Sequence, residues 1–333
     1  MATTTFIPSM LRGAGTRGVP LIPAGGSSLL LDEYGEGAYL AVSMRKLRSD
    51  YTGFSMRIRR TGTAGSTGTA NDQADLHFDS NNYTSLDSPI TAVTAGVLST
   101  TLGEFCAASG YSNPDSLASA NTVEVTKLYN QSVDTTVADF PYSLGYNELV
   151  TSGVLETITI GGDTFVALNV NWREGYSVIT STTVPITTFN VTNVIDPAGG
   201  FTTEAVTLAP SIYNGQNAEI IYDDTTDKFE FKDRTNGIII ISSSGTTFST
   251  DTPYVFSYLL QSSGNLTSYH VNNTLQGSRT DYSPVNANFS RIKYNQLNKA
   301  SGPEFMEAIY YTSSKQDDIS NINQNMMTYY NIS

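Results

Sequence analysis

One cysteine, one tryptophan and two histidines are all that this chain of 333 residues holds of some of the side chains most used in covalent, metal and stacking chemistry. Cys106 has no second cysteine to join, so no intrachain disulfide supports the fold. A zinc site needs three or four Cys or His at close spacing, which Cys106, His77 and His270 cannot supply. Cys106 has no histidine beside it in sequence and reads as a small buried apolar side chain. His77, in a polar stretch, reads as a surface residue. His270 lies in a strand-like run with no glycine-flanked nucleophile in view, which weakens any serine triad. There is no Gly-rich phosphate loop and no run of about 18 apolar residues, so no cofactor and no membrane insertion are expected. The first thirty residues lack the continuous apolar core of a signal peptide, which points to synthesis in a cytoplasm.

Charge is also scarce. Charged residues make up 15% of the chain and sum to a formal net charge of -13, which argues against nucleic acid as a partner. The distribution is uneven: residues 1–60 carry eight of the 18 Lys and Arg but only four of the 31 Asp and Glu. An acidic body with a basic amino-terminal part is either a solvated surface or a means of head-to-tail packing.

What is abundant is Thr, Ser, Asn, Gly and Tyr, the composition of short strands joined by polar turns. From Gly153 onward strand-like runs follow one another without intervening helices, among them ITTFNVTNVI, TPYVFSYLLQ, LTSYHVN and EFMEAIYY. That spacing predicts an all-β sandwich. Ala218 to Asp233 reads as a β-hairpin closing through Asp223-Asp224-Thr225-Thr226, with Phe229 and Phe231 on one face. Gly161-Gly162-Asp163-Thr164 reads as a hairpin turn. Ile238 to Ile241 is apolar throughout, which predicts a central strand covered on both faces.

The stretch from Leu30 to Arg60 is expected to organise the rest. Tyr39, Leu40, Met44 and Leu47 recur at helical spacing, and Arg45, Lys46 and Arg48 follow where cations suit a helix end, predicting a short helix over 38–48. Beyond the Ser-Asp-Tyr-Thr-Gly corner the period changes to two. Phe54, Met56 and Ile58 face one way and Ser55, Arg57 and Arg59 the other, predicting a strand with one wet face. Thr100 to Ala108 reads as one or two helical turns. The chain closes with a capping pattern at Ser314 to Asp317 and a helix bearing Ile319, Ile322, Met326, Met327 and Tyr330 on one side. Residues 1–29, broken by Pro and Gly yet dotted with apolar side chains, read as an extended arm that lies on its own body or on a neighbour. Residues 30–333 read as one sandwich domain.

Three tracts carry a resemblance: AYLAVSMRKLRSDYTGFSMRIRR (38–60), VTKLYNQS (125–132) and FMEAIYYTSSKQDDISNINQNMMTYYNIS (305–333). Together they resemble the concanavalin A-like jelly-roll domain of the alpha-L-arabinofuranosidase B family, relatives of which occur as structural proteins of bacteriophage particles. The resemblance implies a jelly roll with a short helix near its start and a helix at its end. It also implies a virion protein, in a tail fibre or appendage or decorating the head, with other virion proteins and copies of itself as partners.

The catalytic residues of that family do not carry over. Its nucleophile follows a vicinal pair of cysteines, absent here, and its acid would fall between Phe289 and Pro303, where no Asp or Glu occurs. Sugar hydrolysis commonly needs two carboxylates across the scissile bond, so the expectation is a protein that is not an enzyme. The alternative is a glycoside hydrolase with relocated carboxylates. If a surface glycan is bound, Trp172 is the candidate stacking platform, with core or interface packing as its other reading. Asp223, Asp224 and Asp227 are oxygen donors of the kind calcium takes, or else simply a solvated hairpin tip.

Overall fold

The computed structural model describes residues 29–60, 72–106, 123–133, 140–141, 147–151, 154–170, 175–182, 185–194, 205–206, 209–212, 216–223, 228–233, 238–242, 249, 252–262, 264–282, 289–294 and 304–333. Residues 1–28 of the expected arm, Trp172, Asp224 and Asp227 lie outside the described residues.

The strands are β1 (Ala38–Ser43), β2 (Met56–Arg60), β3 (Gln73–Leu76), β4 (Ile90–Ala92), β5 (Val123–Leu128), β6 (Phe140–Pro141), β7 (Asn147–Thr151), β8 (Val154–Leu155), β9 (Thr157–Ile160), β10 (Asp163–Val166), β11 (Leu168–Val170), β12 (Gly175–Thr182), β13 (Ile186–Val194), β14 (Ala205–Val206), β15 (Ala209–Ile212), β16 (Gln216–Asp223), β17 (Lys228–Asp233), β18 (Ile238–Ser242), β19 (Thr252–Leu260), β20 (Thr267–Val271), β21 (Thr274–Arg279), β22 (Phe289–Tyr294) and β23 (Glu304–Tyr311). Three helices, α1 (Leu30–Tyr34), α2 (Leu102–Cys106) and α3 (Ile319–Tyr329), complete the described elements. The larger sheet runs β21-β20-β19-β13-β23-β11-β7-β5-β2-β3-β4, with β1 beside β23, β6 beside β5 and β8 beside β7. The second sheet runs β12-β22-β15-β16-β17-β18 with β14 beside β16, and β9 and β10 form a hairpin through Gly161 and Gly162.

The architecture is the expected all-β sandwich. Its sheets meet through aromatic rings. Phe229 on β17 packs edge-on against Phe256 of β19 at 4.7 Å between centroids, and Phe231 stacks on Tyr258 at 4.6 Å. Such contacts add to the burial term, and all four rings are fully buried. The expected hairpin of β16 and β17 forms, with Tyr222 opposite Phe229 and Ile220 opposite Phe231, but Asp223, expected in the closing turn, is still paired in the strand opposite Lys228.

Three expectations are corrected. Residues 38–43 form no helix: they are β1, all six buried, and the helix near the start is α1 instead. A short apolar run buried on both faces mimics helical spacing, and long-range pairing decides. One edge of β1 pairs with β23. The other is completed by residues 130–132, where the Ala41 N–H donates to Asn130 Oδ1 at 2.9 Å and the Gln131 N–H donates to Ala41 O at 2.8 Å.

Second, β18 ends its sheet instead of lying centrally. Its cover comes from the opposite sheet: a Cβ on Gly277 of β21 would lie 2.6 Å from Ile241 Cγ2. Gly277→Val is therefore expected to destabilise the fold by about 1–3 kcal/mol through overpacking, read as a lower urea midpoint. An unchanged midpoint would show that the sheets separate freely there.

Third, α3 starts later than the Ser314 to Asp317 pattern implies. Its N-cap, Asp318, makes no side-chain capping bond. The buried side is as expected, with Ile319, Ile322, Met326, Met327 and Tyr330 all inside. It packs on this chain's own sandwich, where Asn323 Nδ2 donates to Ser257 Oγ at 2.9 Å. No helix among the described residues is long and apolar enough to cross a membrane.

Two of the three tracts that carry the resemblance meet at one buried carboxylate, and the third braces the turn beside it. Glu307, with no exposed surface, accepts from Arg45 Nε at 2.6 Å, Arg45 Nη2 at 3.0 Å, Ser43 Oγ at 3.1 Å and Tyr330 OH at 3.0 Å. Gln131 clamps the same turn, taking the Leu47 N–H at 2.8 Å and donating to Arg45 O at 3.0 Å. Thus Arg45 serves a buried ion pair and not a helix end. These tracts form a buried packing cluster.

Candidate functional site

A polar and aromatic surface forms where the corner before β2 meets the ends of β3 and β5. Its backbone logic is register. Arg57 of β2 stands opposite Asp75 of β3 on one side and Lys127 of β5 on the other, and Thr91 of β4 stands opposite Asp75. Directly opposed residues in antiparallel strands share a face, so Thr91, Asp75, Arg57 and Lys127 form one row across four strands. Met56 and Ile58 point to the other side and are fully buried.

The row is tied by charge and hydrogen bonds. Arg57 grips Asp75 with two parallel bonds, Nε to Oδ1 at 2.8 Å and Nη2 to Oδ2 at 2.9 Å. This is the geometry in which guanidinium recognises carboxylate best. Tyr129, just past β5, donates its hydroxyl to Asp75 Oδ1 at 2.6 Å. The Lys127 ammonium lies 5.1 Å from the centre of the Tyr129 ring. In the adjacent rung Arg59 pairs with Glu124.

Aromatic rings border the row. The Phe54 ring lies 5.5 Å from that of Tyr129 and 4.6 Å from that of His77, and His77 Nε2 is 3.0 Å from Thr91 Oγ1. Tyr51 folds beneath the corner and donates its hydroxyl to Phe54 O at 2.8 Å. Gly53 leaves room for that fold, since a Cβ there would lie 2.5 Å from the Tyr51 hydroxyl. Phe54, His77, Arg57, Lys127 and Tyr129 are each half-buried, so their outer faces meet solvent. His77 is a partly exposed surface residue, as the sequence implies, with its ring packed against Phe54.

Burial alone would raise the Asp75 carboxyl, but the bonds from Arg57 and Tyr129 and the charges of Arg57 and Lys127 outweigh it and hold the group below its ordinary value. A depressed folded-state value stabilises the protein above the unfolded carboxyl value of about 4, and that stability is lost as pH falls through the folded value. Asp75→Asn should therefore lose less stability between about pH 5 and pH 3 than the native chain does. Equal acid limbs in paired denaturation curves would show that the carboxylate is not held by these partners.

The residues singled out from sequence fall elsewhere. Asp223 ends β16 opposite Lys228, while Trp172, Asp224 and Asp227 are outside the described residues. Among the described residues no group of three or more His, Cys, Asp or Glu is placed to hold a metal. Cys106 is fully buried and its thiol is pushed up to about 12, chiefly by burial, the state of an inert side chain. His270 is lowered by burial and its Nε2 lies 3.3 Å from Ser268 Oγ.

No family model matches the chain, and no curated protein does either. Solved structures do. A Trypanosoma rangeli sialidase in complex with the inhibitor DANA is 11% identical with a TM-score of 0.41, over 61% of this chain and 32% of that one. The binding domain of Paraclostridial mosquitocidal protein 1 is 16% identical with a TM-score of 0.38, over 58% and 52%. The ligand-binding domain of botulinum neurotoxin serotype D, in complex with N-acetylneuraminic acid, is 9% identical with a TM-score of 0.37, over 57% and 48%. Each match spans less than two thirds of the other chain's length, and none assigns a role to a residue here. The expectation that the chain is not an enzyme is nonetheless overturned, because sialidases stand among these structures. That expectation rested on a missing carboxylate pair, and not every glycoside hydrolase follows the two-carboxylate rule.

Proposed function

We propose that this chain is a glycan-binding β-sandwich protein of a bacteriophage particle, made in the host cytoplasm and held in the virion by other virion proteins and by copies of itself. The glycan reading is carried by one observation: half-buried Phe54 and Tyr129 flank a hydrogen-bonded Arg57–Asp75 pair on an open sheet face. Apolar faces of sugar rings pack on aromatic rings, and their hydroxyls and carboxylates meet fixed donors and acceptors. The phage setting is supported by the three resembling tracts at 38–60, 125–132 and 305–333.

Two experiments test the two halves. Particles purified on a density gradient should carry this chain at a fixed ratio to the major capsid protein by mass spectrometry; its absence from particles removes the virion reading. A glycan array probed with the folded chain should give a selective set of ligands, with sugar release from each monitored alongside. Silence across the array removes the glycan reading.

A further inference from the structure

The charges of this face answer one another. Resting on the glycan reading above, we propose that the Phe54–Tyr129 face selects neutral sugars over carboxylate-bearing ones, through ring packing and hydroxyl contacts.

Register sets the balance. The rung that holds Asp75, Arg57 and Lys127 is followed along β2 by one that holds Arg59 of β2, Glu124 of β5 and Glu148 of β7. Three cations thus stand against three carboxylates, and each of the six is engaged. Arg57 and Asp75 are joined by two bonds, and Arg59 pairs with Glu124. Lys127 lies over the Tyr129 ring, and neither it nor Glu148 is without a partner. Depth keeps the pairs closed, since the Asp75, Arg59 and Glu124 side chains are 8%, 15% and 11% exposed.

A sugar carboxylate gives up strong hydration when it binds, and a cation ready to bond it is what offsets that cost. Here a guanidinium gives an incoming carboxylate its bidentate grip only by releasing Asp75 or Glu124, and the released carboxylate is then left buried without its partner. The chain's net charge of -13 adds repulsion before contact. A neutral sugar meets neither cost. Its ring packs on Phe54 and Tyr129, and its hydroxyls find groups that make neutral hydrogen bonds. These are the Thr91 hydroxyl and the His77 ring, paired at 3.0 Å beside Phe54, and the Tyr129 oxygen, which still accepts while its proton is given to Asp75.

The test uses the full chain with polygalacturonate, hyaluronan and alginate, each beside its carboxyl-reduced form, by isothermal titration calorimetry at low and at raised salt. At least one reduced polymer is expected to bind about tenfold or more tighter than its acidic parent, with an affinity that salt leaves unchanged, while the acidic parent gains as repulsion is screened. Asp75→Asn and Glu124→Gln each release a guanidinium, and each should raise the affinity for the acidic parent and narrow the margin. Equal or tighter binding of the acidic polymers overturns neutral selection and leaves the glycan reading standing. Should no polymer bind, the glycan array decides: neutral ligands support the selection, acidic ones overturn it, and silence removes the glycan reading and this one with it. A margin that neither variant narrows overturns the assignment to these paired rungs.

Discussion

Glu307→Ala is expected to destabilise the protein by about 3–5 kcal/mol, the range for breaking a buried ion pair from one side. Glu307 has no exposed surface and Arg45 is 4% exposed, so removing the carboxylate strands a guanidinium that cannot reach water. The Tyr330 hydroxyl, also fully buried, loses the acceptor it has at 3.0 Å, and Ser43 Oγ loses its own. These groups sit on the turn after β1, on β23 and at the end of α3, so the loss spreads across the elements that set the core.

The desolvation argument makes a second, sharper statement. The paired change Arg45→Met with Glu307→Leu should cost less than Glu307→Ala alone, because no charge is left behind. Equilibrium denaturation in urea gives both values. A Glu307→Ala variant within about 1 kcal/mol of the native chain would mean that Arg45 finds water or another partner.

Tyr129→Ala is expected to weaken binding of any glycan taken by this face about tenfold or more, a difference of about 1.4 kcal/mol or greater. The substitution removes the ring that Phe54 leans on, the body beneath the Lys127 ammonium and a hydroxyl on Asp75. Tyr129→Phe separates these roles. It keeps the ring and drops only the bond to Asp75, so it should retain most of the affinity while raising the pH at which acid weakens the fold, since Asp75 is then less strongly held below its ordinary value. Tyr129→Ala with native affinity and native stability would place glycan recognition elsewhere.

Much of the architecture was legible in the sequence because the β signal there is local. Alternation marks Arg57 and Arg59 as outward and Met56 and Ile58 as inward, and the paired glycines at 161 and 162 mark a turn; Phe54, which the same alternation puts with Met56 and Ile58, is instead half-buried beside His77 and Tyr129. Ser55 escaped the alternation: it was assigned to the wet face, yet it is buried and bonds Leu76 O at 3.0 Å. The run 38–43 reads as helix because an apolar stretch covered on both faces loses the strand's alternation and mimics helical spacing, and what makes it a strand is β23, more than 260 residues on. The position of Ile238 to Ser242 was misread for a related reason. The structure places Gly277 of the other sheet against Ile241, and no local pattern reveals either that approach or the strand's place at the end of its sheet.

The candidate site was less legible. Phe54, Arg57, Asp75, Lys127 and Tyr129 are scattered across 76 positions of the chain and meet only through the pairing of β2 with β3 and β5. A lone tryptophan drew attention to residue 172, whereas the aromatic surface the structure describes is made of Phe and Tyr. The outward face of Arg57 was the one usable signal, since an arginine on a wet strand face asks what stands opposite it.

The most direct test of the central claim is a crystal structure of the chain with an array-selected oligosaccharide. The account predicts a sugar ring against Phe54 and Tyr129 with polar groups at Arg57 and Lys127. A ligand seated elsewhere on the sandwich, with this face bare, would contradict it.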